Sequence, residues 1–229
     1  MSSAADGLPL NKRLPAVIAI SLGIGMATLD TAIVNTALPT LAEGIGTDSA
    51  SVIWVVNAYQ LAIIATVLPF ASLSDVLGHR RVYLGGLLLF IVSSLFCGLA
   101  GSLETLTAAR VVQGLGAAAI MSVNTALLRH IYPSKMLGRG LGYNSLVVGL
   151  AFTLGPTAAS AILSVATWHW LYLINVPLGL LPWHSACVLC PFSPSPGMRL
   201  TGWRHCYVPV CSPCWSWALA QRCTALKAH

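Results

Sequence analysis

Five stretches of 22 to 28 residues, each almost wholly apolar, fill the chain from position 14 to position 167 and leave it little choice of environment. They run from Leu14 to Leu41, Val52 to Leu73, Val82 to Leu103, Leu106 to Leu128 and Leu141 to Thr167, and a sixth begins at Trp170 and reaches Phe192 if completed. About 20 apolar residues in a helix cross the hydrocarbon core of a bilayer, and these segments lack both the alternation of strands and the narrow stripe of amphipathic helices. Charged residues are 8% of the chain, against the roughly 25% that a water-soluble domain uses to cover its surface. In lipid every backbone polar group must be satisfied within the segment, which helices achieve and open sheets do not. The expectation is an all-α membrane protein with short loops and alternating up and down helices.

The formal charge of +6 raises the question of nucleic acid, and the placement of the basic residues answers it. Lys12 and Arg13 precede the first span, Arg80 and Arg81 separate the second and third, and Arg129, Lys135 and Arg139 surround the gap between the fourth and fifth. The alternate loops carry Glu43, Asp48 and Glu104 with no Lys or Arg. This is the positive-inside pattern, which puts the N-terminus and the basic loops in the cytoplasm and predicts a multi-pass protein of a plasma membrane, the bacterial inner membrane in a Gram-negative source. The lipid bilayer is then the obligatory partner, and no nucleic acid is expected. The basic start followed by an apolar run resembles a signal peptide, but the run is too long, contains Asp30 and is followed by further spans. Trp54, Tyr83, Tyr132, Trp168 and Trp170 lie near span ends, where interface anchors belong.

Composition changes near Pro182. One cysteine, Cys97, precedes Trp183, and six follow it in a tail with several prolines and no acidic residue. The domain reading is therefore a cytoplasmic N-terminus over 1–13, a membrane bundle over 14–182 and an irregular tail over 183–229. Cys187-x-x-Cys190 and Cys211-x-x-Cys214 have a spacing at the edge of a four-cysteine zinc site, yet the first pair falls inside the sixth span and prolines crowd the segment. The preferred expectation is a tail left by a frame change or a truncated gene, with no metal and no cofactor.

Ionisable side chains inside a span cost about 2.5–3.5 kcal/mol even on the permissive insertion scale, so each is a functional-site candidate. Asp30 and Arg110 are the two clear cases. Asp30 lies eight residues before Leu38 and Arg110 five after Thr105, about 12 Å and about 8 Å below the outer ends of their spans at ~1.5 Å per residue. Opposite charges at similar depth can pair. One reading is a tie between two helices. The other is a coupling site in which Asp30 exchanges protons or meets a cationic substrate while Arg110 favours its ionised form. Asn35, Asn57, Gln60 and Gln113 are polar candidates for a cavity wall, and interhelical hydrogen bonding explains them equally well.

Several segments together resemble the major facilitator superfamily, and within it the drug:proton antiporter branch usually built with 14 spans. The first span reads Leu29-Asp30-Thr31-Ala32-Ile33-Val34-Asn35-Thr36-Ala37-Leu38-Pro39, like that branch's first-helix signature, and Trp54-Val55-Val56-Asn57-Ala58-Tyr59 is similar to its second. Between spans two and three, Asp75, Gly78, Arg80 and Arg81 fit the cytoplasmic loop motif that holds the inner helix ends together, with Ala71 for the usual glycine and His79 for a common arginine. Arg110 to Ala118 resembles the motif whose buried arginine is linked to proton transfer. Gly149, Gly155 and Pro156 resemble the antiporter helix motif, with Ala159 and Ser160 at its usual closing glycines. Trp168 to Gly179 looks like the entry to helix six, and the pattern then stops at about Leu181.

The resemblance implies the N-terminal six-helix bundle of a major facilitator transporter, proton-coupled efflux of small amphipathic or cationic substrates, and an incomplete protein that does not transport alone. The other expectation is a membrane-embedded interaction or regulatory protein. Oligomeric state is left open. An enzyme is not expected, since H-E-x-x-H, G-x-S-x-G and paired intramembrane carboxylates do not occur.

Overall fold

The structure, a computed structural model, describes residues 10–189. The cysteines at 190, 211 and 214, and with them the zinc spacing and most of the tail, lie outside the described residues. Among the described residues seven α-helices follow one another: α1 Leu10–Ile45, α2 Ser49–Leu77, α3 His79–Gly98, α4 Leu103–Ile131, α5 Leu137–Leu163, α6 Trp170–Leu173 and α7 Asn175–Leu189. A single 3₁₀ turn, Ser134–Met136, leads into α5. No strand occurs among the described residues. The first five helices are each long and apolar enough to cross a membrane. α6 and α7 together supply the sixth apolar segment, and the composition break at Trp183 falls within α7.

Helix ends depart from the apolar runs for local reasons. The run from Val82 was expected to reach Leu103, but α3 stops at Gly98. Ser102 takes an extended conformation and its side chain accepts from the Thr105 N–H at 3.3 Å, so α4 starts at Leu103 and the intervening residues form the turn. α1 is 36 residues long, so Asp30 sits near its middle, deeper than the apolar boundary indicated. At the turn between α1 and α2, Asp48 precedes α2, and hydrogen bonding to the Ser51 side chain holds its exposed carboxyl below the ordinary value. The break between α6 and α7 follows from Pro177, which cannot donate to the carbonyl of Leu173 and whose ring would strike it.

Packing is organised around two helices. α4 lies against α2 and α3, and α1 lies against α5 and α7 while also touching α4. Close approach to α4 depends on small residues: a Cβ at Gly114 would stand 2.7 Å from the Tyr59 carbonyl oxygen, and one at Gly116 2.7 Å from the Phe90 nitrogen. One buried cluster, including Tyr83, Phe90, Ile120 and Leu128, fills one end of the bundle, and a second, including Ile33, Leu41, Val55 and Leu171, fills the other.

Large apolar side chains also face outward, among them Ile64, Leu68, Phe96 and Leu99, as lipid-facing positions do. The most apolar windows of α2 and α5 are only 22% and 11% buried, against 67% for α1, so those two helices present broad faces away from the bundle.

Candidate functional site

Between the two clusters lies a polar centre built from six helices, α1, α2, α3, α4, α6 and α7. Arg110 on α4 donates from Nη1 to Asp30 Oδ2 on α1 at 2.6 Å, and both side chains are fully buried. The same Nη1 donates to Gln113 Oε1 at 2.7 Å. Three residues after Arg110, and so on the same face of α4, Gln113 turns its amide nitrogen to Asp30 Oδ1 at 3.2 Å and to Ser94 Oγ on α3 at 2.8 Å. From the start of α7, Asn175 donates to Asp30 Oδ1 at 2.5 Å. Cys97 Sγ on α3 donates to Gln113 Oε1 at 3.5 Å.

Arg110 is held from its faces as well. Its guanidinium carbon lies 4.0 Å from the centre of the Tyr59 ring on α2 and 5.6 Å from that of Tyr172 on α6. Removing a charge from water into such a site is costly, and an opposite charge with saturating hydrogen bonds offsets the cost. The Asp30 carboxylate accepts from three donors, one of them cationic. The arrangement can respond to one proton: neutralising Asp30 turns an ion pair into an ordinary hydrogen bond in a medium where the difference is large.

The other candidate residues are placed elsewhere. Gln113 is fully buried within the ion-pair network, while Asn35, Asn57 and Gln60 are exposed on α1 and α2. Asp75 and Arg81 are exposed at the α2–α3 turn, and Arg80 is half-buried. Gly78 there has φ +93°, a conformation that a side chain strains, and its N–H donates to the Ser74 carbonyl at 2.9 Å. His79 Nδ1 lies 2.9 Å from Ser74 Oγ. Gly155 packs its backbone on Ala32 of α1, whereas Gly149 has open space around its Cα and Pro156 is exposed.

Tyr59, Ser94, Cys97, Tyr172 and Asn175 were not among the candidates. A sequence signal existed for Asn175, a polar residue in an apolar run two positions before a helix-breaking proline.

The sequence profile of the Major Facilitator Superfamily matches residues 20–200. This chain belongs to that superfamily. The match continues past Leu181, through α7 and beyond. Superfamily relatives include an uncharacterized transporter of Escherichia coli K12, YebQ, 58% identical over 177 residues, covering 77% of this chain and 39% of the relative. The riboflavin transporter RibZ of Clostridioides difficile is 33% identical over 165 residues, 72% of this chain and 36% of RibZ. MdtD of Salmonella paratyphi B, provisionally named a multidrug resistance protein, is 36% identical over 185 residues, 80% of this chain and 39% of MdtD.

Among solved structures, a bacterial homologue of the human lysosomal transporter Spinster, inward-facing and unoccupied, superposes with a TM-score of 0.63 at 17% identity, over 80% of this chain and 43% of that one. That likeness concerns the fold. This chain spans about two fifths of the length of the relatives it matches, and it is a multi-pass membrane protein of the superfamily.

Proposed function

We propose that this chain forms the N-terminal bundle of a proton-coupled exporter of small amphipathic or cationic compounds, of the drug:proton antiporter branch, with its N-terminus on the cytoplasmic side of a bacterial inner membrane. One observation carries the reading: a fully buried Asp30–Arg110 pair at the centre of a lipid-spanning bundle, tied by hydrogen bonds to α3, α4 and α7. A proton on Asp30 weakens the attraction between α1 and α4 and frees Arg110 to follow another partner. Transporters of this superfamily bind substrate between two six-helix halves that rock about a midplane site. The open faces of α2 and α5, with Asn57 and Gln60 on the former, suit the wall of such a cavity. A single bundle has half of that cavity, so the 229-residue chain is expected not to transport alone. The differing names of RibZ and MdtD leave the substrate open within the class.

The test is a chimera in which residues 10–189 replace the matching part of the E. coli relative. Everted vesicles carrying it should accumulate a fluorescent amphipathic cation when acidified inside, and vesicles carrying the chain as given should not. Absence of proton-dependent accumulation by a chimera that reaches the membrane, across a panel of such cations, contradicts the reading. The same open faces also favour a second reading, a regulatory protein that binds a transporter's bundle and moves nothing. Stable co-purification with a full-length relative, together with a chimera inactive in efflux, would support that reading instead.

A further inference from the structure

We infer that Asn175 is a positioning residue for the protonation of Asp30, one whose amide donates to the carboxylate and turns over to accept from the carboxylic acid once the proton has arrived. This rests on the reading of Asp30 as the proton-exchanging group.

An ionised carboxylate only accepts hydrogen bonds, so every neighbour must offer it an N–H or O–H. Asp30 receives Arg110 on Oδ2 and both Gln113 and Asn175 on Oδ1. When a proton settles on Oδ1, that oxygen becomes a donor, and one of its two amide neighbours must become an acceptor or leave a buried O–H unsatisfied. Gln113 is held in place: its Oε1 accepts from Arg110 and Cys97, and its Nε2 also donates to Ser94. Turning that amide over would set its N–H groups against the Arg110 N–H, which can only donate, and lose the bond between them.

Asn175 is under no such restraint. Its Nδ2 serves Asp30, and its Oδ1 is buried with no hydrogen-bond partner in a residue that is fully enclosed. A buried, unsatisfied amide oxygen is costly in a native core and calls for an explanation. Rotation of this amide by half a turn breaks only the bond to Asp30 Oδ1 and replaces it with one from the new O–H to Asn175 Oδ1. The proton stays on Asp30, Arg110 still donates to Oδ2, and no other group changes charge. Leu or Val at 175 would leave both states unserved, and Asp would add a second negative charge.

The consequence is directional. After protonation α7 remains tied to α1 through Asn175, whereas the ion pair between α1 and α4 is reduced to a neutral-acceptor hydrogen bond. Movement triggered by the proton is thus expected between α1 and α4, with α7 following α1.

The charged and titratable groups facing Asp30 are Arg110 from α4, Tyr59 from α2, Cys97 from α3 and Tyr172 from α6, and α5 meets α1 here through Gly155 on Ala32. Arginine stays protonated, and thiols and phenols ordinarily titrate near 8.5 and 10, so an acid titration from about pH 8 downward reads the carboxyl.

The experiment is infrared difference spectroscopy of the full chain in lipid nanodiscs during that titration, with the Asp30→Asn variant identifying the carboxylic C=O band. Asn175→Leu, with the same number of side-chain heavy atoms and able neither to donate nor to accept, is expected to raise the band's midpoint by about one pH unit, a tenfold gain in proton affinity, because the bond it removes from the carboxylate is charge-assisted and stronger than the neutral one it removes from the acid. It should also abolish the side-chain amide C=O shift that accompanies acidification of the wild type. Asn175→Ala gives the same readings should the leucine variant fail to fold. A wild-type midpoint in a folded variant, or an amide band indifferent to Asp30, overturns the inference while leaving Asp30 as the proton site. If no Asp30-dependent band titrates in the wild type, the proton-site reading falls, and this inference with it.

Discussion

Arg110 lies with its guanidinium carbon 4.0 Å above the Tyr59 ring, and its Nε and Nη2 meet no hydrogen-bond acceptor in the buried site. The aromatic face is what those N–H groups have in place of water. Cation–π contact is worth about 2 kcal/mol when desolvated. Tyr59→Phe keeps the ring and should unfold within about 0.5 kcal/mol of wild type, while Tyr59→Leu should lose about 2 kcal/mol. Reversible unfolding in mixed micelles measures both, and equal losses would assign the effect to the hydroxyl instead.

The ion pair itself should show strong non-additivity. Removing one partner leaves a buried charge and is expected to cost about 3–5 kcal/mol, whether by Asp30→Leu or Arg110→Leu. The double variant should cost less than the sum, with a coupling of at least ~2 kcal/mol, because neither charge is then stranded. The same unfolding assay reads the four-member cycle. Additive losses would mean that the two side chains are solvated separately in the membrane-embedded protein.

The two small positions of α5 should behave oppositely. Gly155 rests on Ala32 of α1, so Gly155→Val should wedge the helices apart, costing at least ~2 kcal/mol and most of any proton-driven transport by the chimera. Gly149→Ala meets nothing within 4 Å and should stabilise by about 0.5–1 kcal/mol through helix propensity alone. A severe effect of Gly149→Ala would point to a contact with a neighbouring bundle.

At the α2–α3 turn, Gly78→Ala forces a side chain into φ +93° and should cost about 1–2 kcal/mol. His79→Arg should leave stability within about 0.5 kcal/mol, since the ring is only half-buried and its side-chain hydrogen bond is a single one to Ser74. Thermal unfolding in nanodiscs distinguishes the two.

The spans were legible in the sequence because membrane insertion depends on summed hydropathy, which a run of residues displays directly. Asp30 and Arg110 were legible for the same reason, as charges in a setting that penalises them. Helix ends were less so: the Ser102 cap and the Pro177 break are local hydrogen-bond and steric events inside apolar runs that hydropathy reads as continuous. Which way a polar side chain points was not legible at all. Asn57 and Gln113 look alike as polar residues within spans, yet one is exposed and the other is enclosed by α1, α3 and α4. That choice is made by where Gly114 and Gly116 let neighbouring backbones approach, which is a property of pairs of helices. Tyr59 and Tyr172 passed unnoticed because an aromatic residue within an apolar run has the simpler explanation of hydrophobic packing.

Asp30 as the proton carrier is tested by comparing two transport modes of the same chimera, proton-driven accumulation and substrate exchange at equal pH across the membrane. Exchange needs the cavity but no net proton movement, whereas accumulation needs both. Asp30→Asn, which keeps a partner for Arg110 but cannot cycle a proton, should abolish accumulation and retain exchange within a few-fold of wild type. Proton-driven accumulation that survives in Asp30→Asn would contradict the assignment.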